Sequence, residues 1–230
     1  MRTRFQQGLD QLREKLLRMG GLAEQAVDRA CQAYVERDLS RCRMVLENES
    51  LINQAERQID EIAFDLLALQ QPMAIDLRFI LAVVKINADL ERVGDQAVNI
   101  AERVMDMVEL PAAELPVDIG RMAAAVSAMV RRALESFIEG KAELAQAVLE
   151  MDNVVDRMRD EAFITLVHKM NETPEVTRQA LDALLVARNL ERVADHATNI
   201  AEDVIFWVRG ADVRHNVTEF LPQTQVTDRH

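Results

Sequence analysis

The sequence predicts an all-α fold made of two tandem three-helix bundles that are related by an internal duplication. The first observation is composition: Leu, Ala, Val, Glu and Arg are abundant and aromatic residues make up only 4%, which favours helices because such side chains lose little entropy there. The second is that apolar residues recur at three- and four-residue spacing along six segments. The third is a repeat: eleven of the sixteen positions in 89–104 are identical in 189–204.

The first half holds three predicted helices. Apolar spacing places them at about 5–37, 39–68 and 72–109. Gly20 and Gly21 mark a candidate kink in the first of these helices, because glycine weakens a helix interior.

The second half repeats this arrangement, with helices predicted at about 117–139, 141–170 and 174–208. Gly140 ends the fourth helix and Gly210 ends the sixth, as glycine commonly does. Thr173 offers an N-cap oxygen to the sixth helix, and Pro174 suits its first position.

The predicted domain boundaries follow from these helices. Pro111 and Pro116 interrupt the periodicity between the halves. The first repeat therefore covers 1–110, the second covers 116–210, and 211–230 is a C-terminal tail without a clean period.

Charge and cysteine content narrow the classes of function. The formal net charge of −12 repels phosphate backbones, so we expect no nucleic-acid partner and favour divalent cations or basic protein surfaces instead. Cys31 and Cys42 have no metal-ligand spacing and form no disulfide framework. We expect a cytoplasmic protein, because the N-terminus lacks the apolar core of a signal peptide and no apolar run is long enough to span a bilayer.

The two copies of the repeated helix, "LERVGDQAVNIAE" and "LERVADHATNIAE", carry acidic residues along one face. On a helical wheel, Asp95, Asn99 and Glu102 lie within about 80° of Glu91, away from the apolar stripe. The same arrangement recurs in the second copy at Glu191, Asp195, Asn199 and Glu202.

A second kind of acidic pair precedes each of these helices. Glu56 and Asp60 are four residues apart in "ERQID", and Asp156 and Asp160 are four apart in "DRMRD", with Asp152 one turn earlier. If consecutive helices are antiparallel neighbours, each half gathers four carboxylates at one patch.

These carboxylates have two interpretations. They form either the solvated face of an amphipathic helix or a surface that binds metal. Like charges at i,i+4 are unfavourable, and a bound cation would convert their repulsion into ligation. Oxygen ligands without matching His or Cys suit Mg²⁺, Mn²⁺, Ca²⁺ or iron better than structural zinc. His196 corresponds to Gln96 in the other repeat, so it is expected to be incidental to a metal site.

A catalytic site is the weaker hypothesis. The sequence contains no nucleophile–His–acid arrangement, phosphate-binding glycine loop or HExxH motif. On exposed helices, moreover, we expect the pKa values of the acidic pairs to stay near their ordinary values.

The segment "QQPMAIDLRFILAVVKINADLERVGDQAVNIAE" from Gln70 and its counterpart "LDALLVARNLERVADHATNIAE" from Leu181 resemble the PhoU family of phosphate-signalling regulators. The resemblance covers almost the whole chain. It implies a six-helix fold whose E/D-xxx-D motifs bind metal at the surface. Such a site can hold a cluster of more than one ion. These motifs correspond to Glu56/Asp60, Glu91/Asp95, Asp156/Asp160 and Glu191/Asp195, with Asn99, Glu102, Asn199 and Glu202 as supporting residues. The metal stays open among iron, Mn, Mg and Zn. Asn189 replaces Asp89, so the two patches are not expected to be equivalent.

The resemblance also implies a function. Such proteins are cytoplasmic, homodimer-forming negative regulators that couple the ATPase subunit of the phosphate ABC transporter to a sensor histidine kinase and restrain phosphate uptake. Arg78 and Arg178 are then expected to pair with carboxylates or cap helices rather than bind phosphate.

Two alternatives belong to other classes. A carboxylate-bridged metalloenzyme on a helical bundle needs inward-facing Glu-x-x-His motifs, which neither Glu61 nor Glu161 begins. A structural scaffold that binds no ligand would leave the acidic faces without a role.

Overall fold

The structure, a computed structural model, describes residues 4–211 of the 230-residue chain. This part of the chain contains six long α-helices and no strand, which confirms the predicted all-α fold. The predicted tail falls outside the described residues, apart from its first position. The helices are α1 (Arg4–Glu36), α2 (Leu39–Gln70), α3 (Ala74–Val108), α4 (Ile119–Glu139), α5 (Ala142–Glu172) and α6 (Thr177–Arg209).

Two of the predicted helix ends are confirmed and one is wrong. Gly140 and Gly210 follow α4 and α6 with φ of 61° and 69°, a left-handed conformation that favours glycine. Thr173, in contrast, makes no side-chain cap for the sixth helix. Its backbone N–H donates to Lys169 O at 2.9 Å, so Thr173 closes α5 instead. The chain then forms a short 3₁₀ turn, Pro174–Val176, before α6 begins.

Gly20 is a packing position within α1. The helix continues through Gly20 and Gly21 without a break. A Cβ added to Gly20 would lie 2.6 Å from Leu134 Cδ2 on α4. Glycine therefore lets the first and fourth helices approach each other closely.

The two bundles share one hydrophobic core. α1, α2 and α3 pack together, as do α4, α5 and α6, and the bundles meet where α3 packs on α6 and α1 on α4. A single buried cluster draws side chains from all six helices. Its fully buried members include Leu12, Ile59, Ile86, Met129 and Leu190. Burial of an aliphatic side chain of this size contributes about 1.5–3 kcal/mol.

Polar contacts cross the α3–α6 seam between the bundles. Asp89, only 7% exposed, lies 2.9 Å from His196 Nδ1 and accepts a hydrogen bond from Asn199 Nδ2 at 3.2 Å. Lys85 Nζ lies 3.4 Å from Asp203 Oδ1 further along the same seam. The ring of His196 pairs with the carboxylate at the position where the second repeat has asparagine, a structural role that the sequence did not predict. That His196 is incidental to a metal site stays a prediction.

Between residues 4 and 211, no helix is both long enough and apolar enough to cross a membrane.

Candidate metal-binding acidic patches

Each bundle brings its two acidic pairs onto neighbouring helices. α2 packs against α3, and α5 packs against α6, as the hypothesis of facing pairs requires. We call the carboxylates of the first bundle the first acidic patch: Glu56, Asp60, Glu91 and Asp95. Those of the second bundle form the second acidic patch: Asp156, Asp160, Glu191 and Asp195.

In the first patch, a buried amide holds one carboxylate in place. Asn87, 1% exposed, donates from Nδ2 to Asp60 Oδ1 at 2.9 Å and to the backbone oxygen of Glu56 at 3.1 Å. One amide therefore fixes Asp60 and ties α3 to α2.

Burial and repulsion raise the pKa of one carboxyl group in the first patch. Burial raises the pKa of Glu91, and the nearby Asp95 and Glu56 carboxylates raise it further, while Arg92 opposes them. Because Glu56 lies on α2 and Glu91 on α3, the two acidic pairs act on each other as the sequence pattern predicted. The expectation of an ordinary pKa was wrong for Glu91, because the helix–helix groove withdraws its carboxyl group from water.

The second patch contains its own cation. Arg159 Nη1 lies 2.9 Å from Asp160 Oδ1, and Arg159 Nη2 lies 3.4 Å from Glu191 Oε1 and 3.8 Å from Asp156 Oδ1. The guanidinium thus bridges α5 and α6 and neutralises part of the patch.

Asp152 belongs to the second patch as well. Burial raises the pKa of Asp152 to about 6, and four further carboxylates add to the increase. In order of decreasing effect these are Asp156, Asp195, Glu191 and Glu202. Burial likewise raises the pKa of Asp195, followed by repulsion from Asp156.

The two patches differ because two core positions have changed between the repeats. At an offset of one hundred, Asp152 corresponds to Ile52 and Arg159 to Ile59, and both isoleucines are buried. A Cβ on Gly94 would lie 2.9 Å from Ile52 Cδ1, so α2 and α3 pack tightly there. Polar residues at these positions place charged groups in the α5–α6 groove, so the two acidic patches differ in structure. Non-equivalence in metal binding stays a prediction.

The four predicted supporting residues lie in different surroundings. Glu202 lies close enough to Asp152 to raise its pKa, so it faces the second patch. Asn199 donates to Asp89 across the bundle seam. Glu102 is exposed and Asn99 is half-buried on α3. A helical wheel of α6 alone could not predict the role of Asn199, because its hydrogen-bond partner lies on α3 of the other repeat.

The donor chemistry of both patches suits hard cations, since it consists of carboxylate oxygens. In residues 4–211, however, no group of three or more His, Cys, Asp or Glu side chains stands in an arrangement that could hold a metal ion. Closing a coordination shell would require the carboxylates to rotate toward one another. In the second patch they would also have to leave Arg159.

Arg78 was expected either to pair with a carboxylate or to cap a helix, and the structure shows that it caps α6. Its Nε donates to Trp207 O at 3.4 Å in the last turn of α6. The Arg178 guanidinium lies near Asp182, where it offsets part of the increase that burial causes in the pKa of that carboxyl.

The duplicated acidic helices and the two packed bundles define a class of all-α proteins built from a repeated three-helix unit. The chain belongs to the PhoU family: the PhoU domain model matches residues 16–104 and again residues 119–204. The two matches coincide with the two bundles.

Relatives support this membership along nearly the whole chain. The chain is 41% identical over 214 residues to a protein of Pseudomonas aeruginosa named phosphate-specific transport system accessory protein PhoU homolog, with 92% of this chain and 88% of the relative covered. It is 42% identical over 214 residues to a protein of the same name from Pseudomonas putida, covering 92% and 83%.

Solved structures show the same fold. The crystal structure of PhoU from Pseudomonas aeruginosa matches with a TM-score of 0.87 at 39% identity, covering 90% of this chain and 100% of that one. The phosphate transport system regulatory protein PhoU from Streptococcus pneumoniae matches with a TM-score of 0.84 at 26% identity, covering 91% and 99%.

Proposed function

We propose that this chain is a cytoplasmic adaptor that represses the phosphate-starvation response. In this role it links the ATPase subunit of a phosphate ABC transporter to a sensor histidine kinase and restrains phosphate uptake. The observation that carries the proposal is the match of both bundles to the PhoU domain, together with relatives at 41% and 42% identity that are named accessory proteins of phosphate-specific transport. An adaptor needs binding surfaces rather than a catalytic centre.

The mechanism we propose is a shift of populations. The transporter changes conformation as it works, and the adaptor binds one conformation better than the other. By linkage, the same difference in binding free energy changes which kinase state the adaptor stabilises. Two similar bundles that share one hydrophobic core offer two sets of surfaces to two partners.

We further propose that the first acidic patch binds a divalent or trivalent cation. Support comes from the neighbouring carboxylates of Asp95 and Glu56, which add to the effect of burial in raising the pKa of Glu91. No salt bridge to Lys, Arg or His is found for these three carboxylates in the described chain, in contrast to the carboxylates around Arg159. A cation would supply the missing positive charge and draw the carboxylates together.

Deletion of the gene in its native host tests the regulatory proposal. We expect phosphate-scavenging genes to be expressed in phosphate-rich medium, and expect the full-length gene on a plasmid to restore repression. Continued repression in the deletion strain would overturn the assignment.

Titration of the purified protein with Mn²⁺ tests the metal proposal separately. Glu91→Gln combined with Asp95→Asn should weaken Mn²⁺ binding at least tenfold, whereas Glu109→Gln, an exposed residue at the end of α3, should leave it unchanged. Equal Mn²⁺ affinity of the wild type, the double variant and Glu109→Gln would show that the first acidic patch is only a solvated helix face.

A further inference from the structure

The α2–α3 hairpin carries an apolar groove directly beside the first acidic patch. The groove is an open cavity of about 670 Å³. Phe64 lies at its edge with 72% of its surface exposed. The lining residues are Asp60, Glu61, Ala63, Phe64, Asp65, Leu67 and Val84. Phe64 is not isolated but adjoins Leu67 and Val84, and contiguous exposed apolar surface of this kind is typical of interaction sites.

Apolar side chains extend this groove along α3. Leu77, Leu81 and Val84 follow one another at four- and three-residue spacing, so they share a stripe on the helix. Leu77 is 38% exposed and Leu81 is 39% exposed. Phe64 and Leu67 supply the facing row on α2. These side chains form one apolar channel between α2 and α3, with Leu77 and Leu81 exposed beyond its Val84 side.

Negative charge borders the channel. Asp60, Glu61 and Asp65 line the groove itself, and Glu56 lies one turn before Asp60 on α2. Within the described chain, no Lys, Arg or His side chain forms a salt bridge with Glu61 or Asp65. The rim therefore keeps its charge available to an incoming ligand.

We propose that the α2–α3 groove binds a basic amphipathic helix of a partner protein. The apolar face of that helix covers Phe64 and Leu81, and its lysines or arginines meet Glu61 and Asp65. This inference rests on the proposed adaptor function, because it names the surface through which one partner docks.

Charge favours this occupant over three others. A second copy of the chain would bring two acidic rims together, and an anionic membrane surface would be repelled by the same rim. The chain's own residues 212–230 contain two arginines against three acidic residues, so they lack the basic charge that the rim selects.

The second bundle provides an internal control. Ile164, at the repeat position of Phe64, is 67% exposed, and Leu181, at the position of Leu81, is 46% exposed. There, however, Arg159 forms salt bridges with Asp156 and Asp160. This surface is similarly apolar but carries less negative charge, so it should bind a basic helix less well.

The test uses the full-length protein and a fluorescein-labelled 18-residue helical peptide with leucines on one face and lysines on the other. Fluorescence anisotropy at physiological salt should show binding that Phe64→Ala weakens at least tenfold. Glu61→Gln with Asp65→Asn should weaken binding about tenfold and reduce its salt dependence. Ile164→Ala should change the affinity less than twofold, and a peptide with glutamate in place of lysine should not bind.

Several results would overturn the inference. Equal binding by the wild type and Phe64→Ala, or equal weakening by Ile164→Ala, would remove the groove as the site. Tighter peptide binding after Phe220→Ala would identify the C-terminal segment as the occupant, and loss of dimer after Phe64→Ala in sedimentation would identify a second copy. Urea unfolding verifies that each variant is folded. If the peptide fails to bind but gene deletion still derepresses phosphate genes, the groove is wrong and the adaptor function stands.

Discussion

Arg159 joins α5 to α6 through a contact of 3.4 Å between its Nη2 and Glu191 Oε1. The same guanidinium contacts Asp160 at 2.9 Å. At the corresponding position, the first bundle buries Ile59 in its core. The second acidic patch thus has an internal arginine that pairs with its carboxylates, whereas in residues 4–211 the carboxylates of the first acidic patch form no salt bridge.

Replacing this arginine should make the second acidic patch a better cation site. We expect Arg159→Gln to increase Mn²⁺ affinity severalfold, because the carboxylates lose their internal counterion. In chelator, the variant should lose about 1 kcal/mol of unfolding free energy, the upper range for a partly exposed ion pair. Isothermal titration and urea unfolding measure the two effects.

Arg157→Gln is the matched control, since Arg157 is exposed and lies two residues away on the same helix. It should change neither quantity appreciably. If Arg159→Gln binds Mn²⁺ no better than the control, the arginine does not compete with metal.

Asp152 should make stability depend on pH in a defined direction. Its pKa is about 6 in the folded protein and 3.8 ordinarily, so the stabilisation from protonation is full below pH 3.8 and is lost as pH rises through 6. Above pH 6, Asp152→Asn should therefore be more stable than the wild type. The full effect would be about 3 kcal/mol, which solvent screening at this half-buried site reduces to about 1 kcal/mol.

Urea unfolding of both proteins between pH 4 and pH 8 measures this difference. It should shrink toward zero near pH 4, while Glu150→Gln, an exposed change on the same helix, should follow the wild type. Curves for Asp152→Asn and wild type that stay parallel at every pH would contradict the prediction.

Asp89 should hold the two bundles together. Asp89→Ala removes the carboxylate that contacts His196 and Asn199. We expect a loss of about 2 kcal/mol of unfolding free energy, because charge-assisted hydrogen bonds in a buried seam contribute about 1.5–3 kcal/mol. Thermal or urea unfolding provides the measurement, and Asn189→Ala at the repeat position should cost less. A larger loss from Asn189→Ala would reverse the assignment of the seam.

Arg78 should stabilise the end of α6 rather than bind phosphate. Arg78→Gln removes the bond to Trp207 O and should lower the unfolding free energy by about 0.5–1 kcal/mol. Arg178→Gln, the repeat counterpart, should have less effect. Added inorganic phosphate should raise the melting temperature of the wild type and Arg78→Gln equally; phosphate stabilisation lost only in Arg78→Gln would assign the residue to an anion site.

The architecture could be predicted from sequence because it depends on regular spacing. Apolar periodicity located six helices, and Gly140 and Gly210 marked two ends through their left-handed conformation. The 3₁₀ turn at Pro174 was not predicted, because Thr173 is a suitable residue either to end α5 or to begin the next helix. Local backbone geometry decides between the two, and here Thr173 ends α5.

The site could be predicted only in part. Spacing placed the carboxylates on facing helices, but it did not show that burial would raise the pKa of Glu91 or that Asn87 would hold Asp60. The role of Arg159 was readable from its alignment with Ile59, which signals a core position turned polar. The pairing of Asp89 with His196 could not be read from the sequence, because the two residues lie in different repeats and the packing of the repeats was not predicted.

Binding to both proposed partners tests the central claim most directly. The purified full-length chain, metal-loaded and chelator-stripped, would be titrated calorimetrically with the transporter's ATPase subunit and with the cytoplasmic region of the kinase. We predict saturable binding to each protein, and weaker binding to at least one of them after metal removal. Equal affinity with and without metal would indicate that the acidic patches are only a solvated surface. Absence of binding to both partners would contradict the adaptor function.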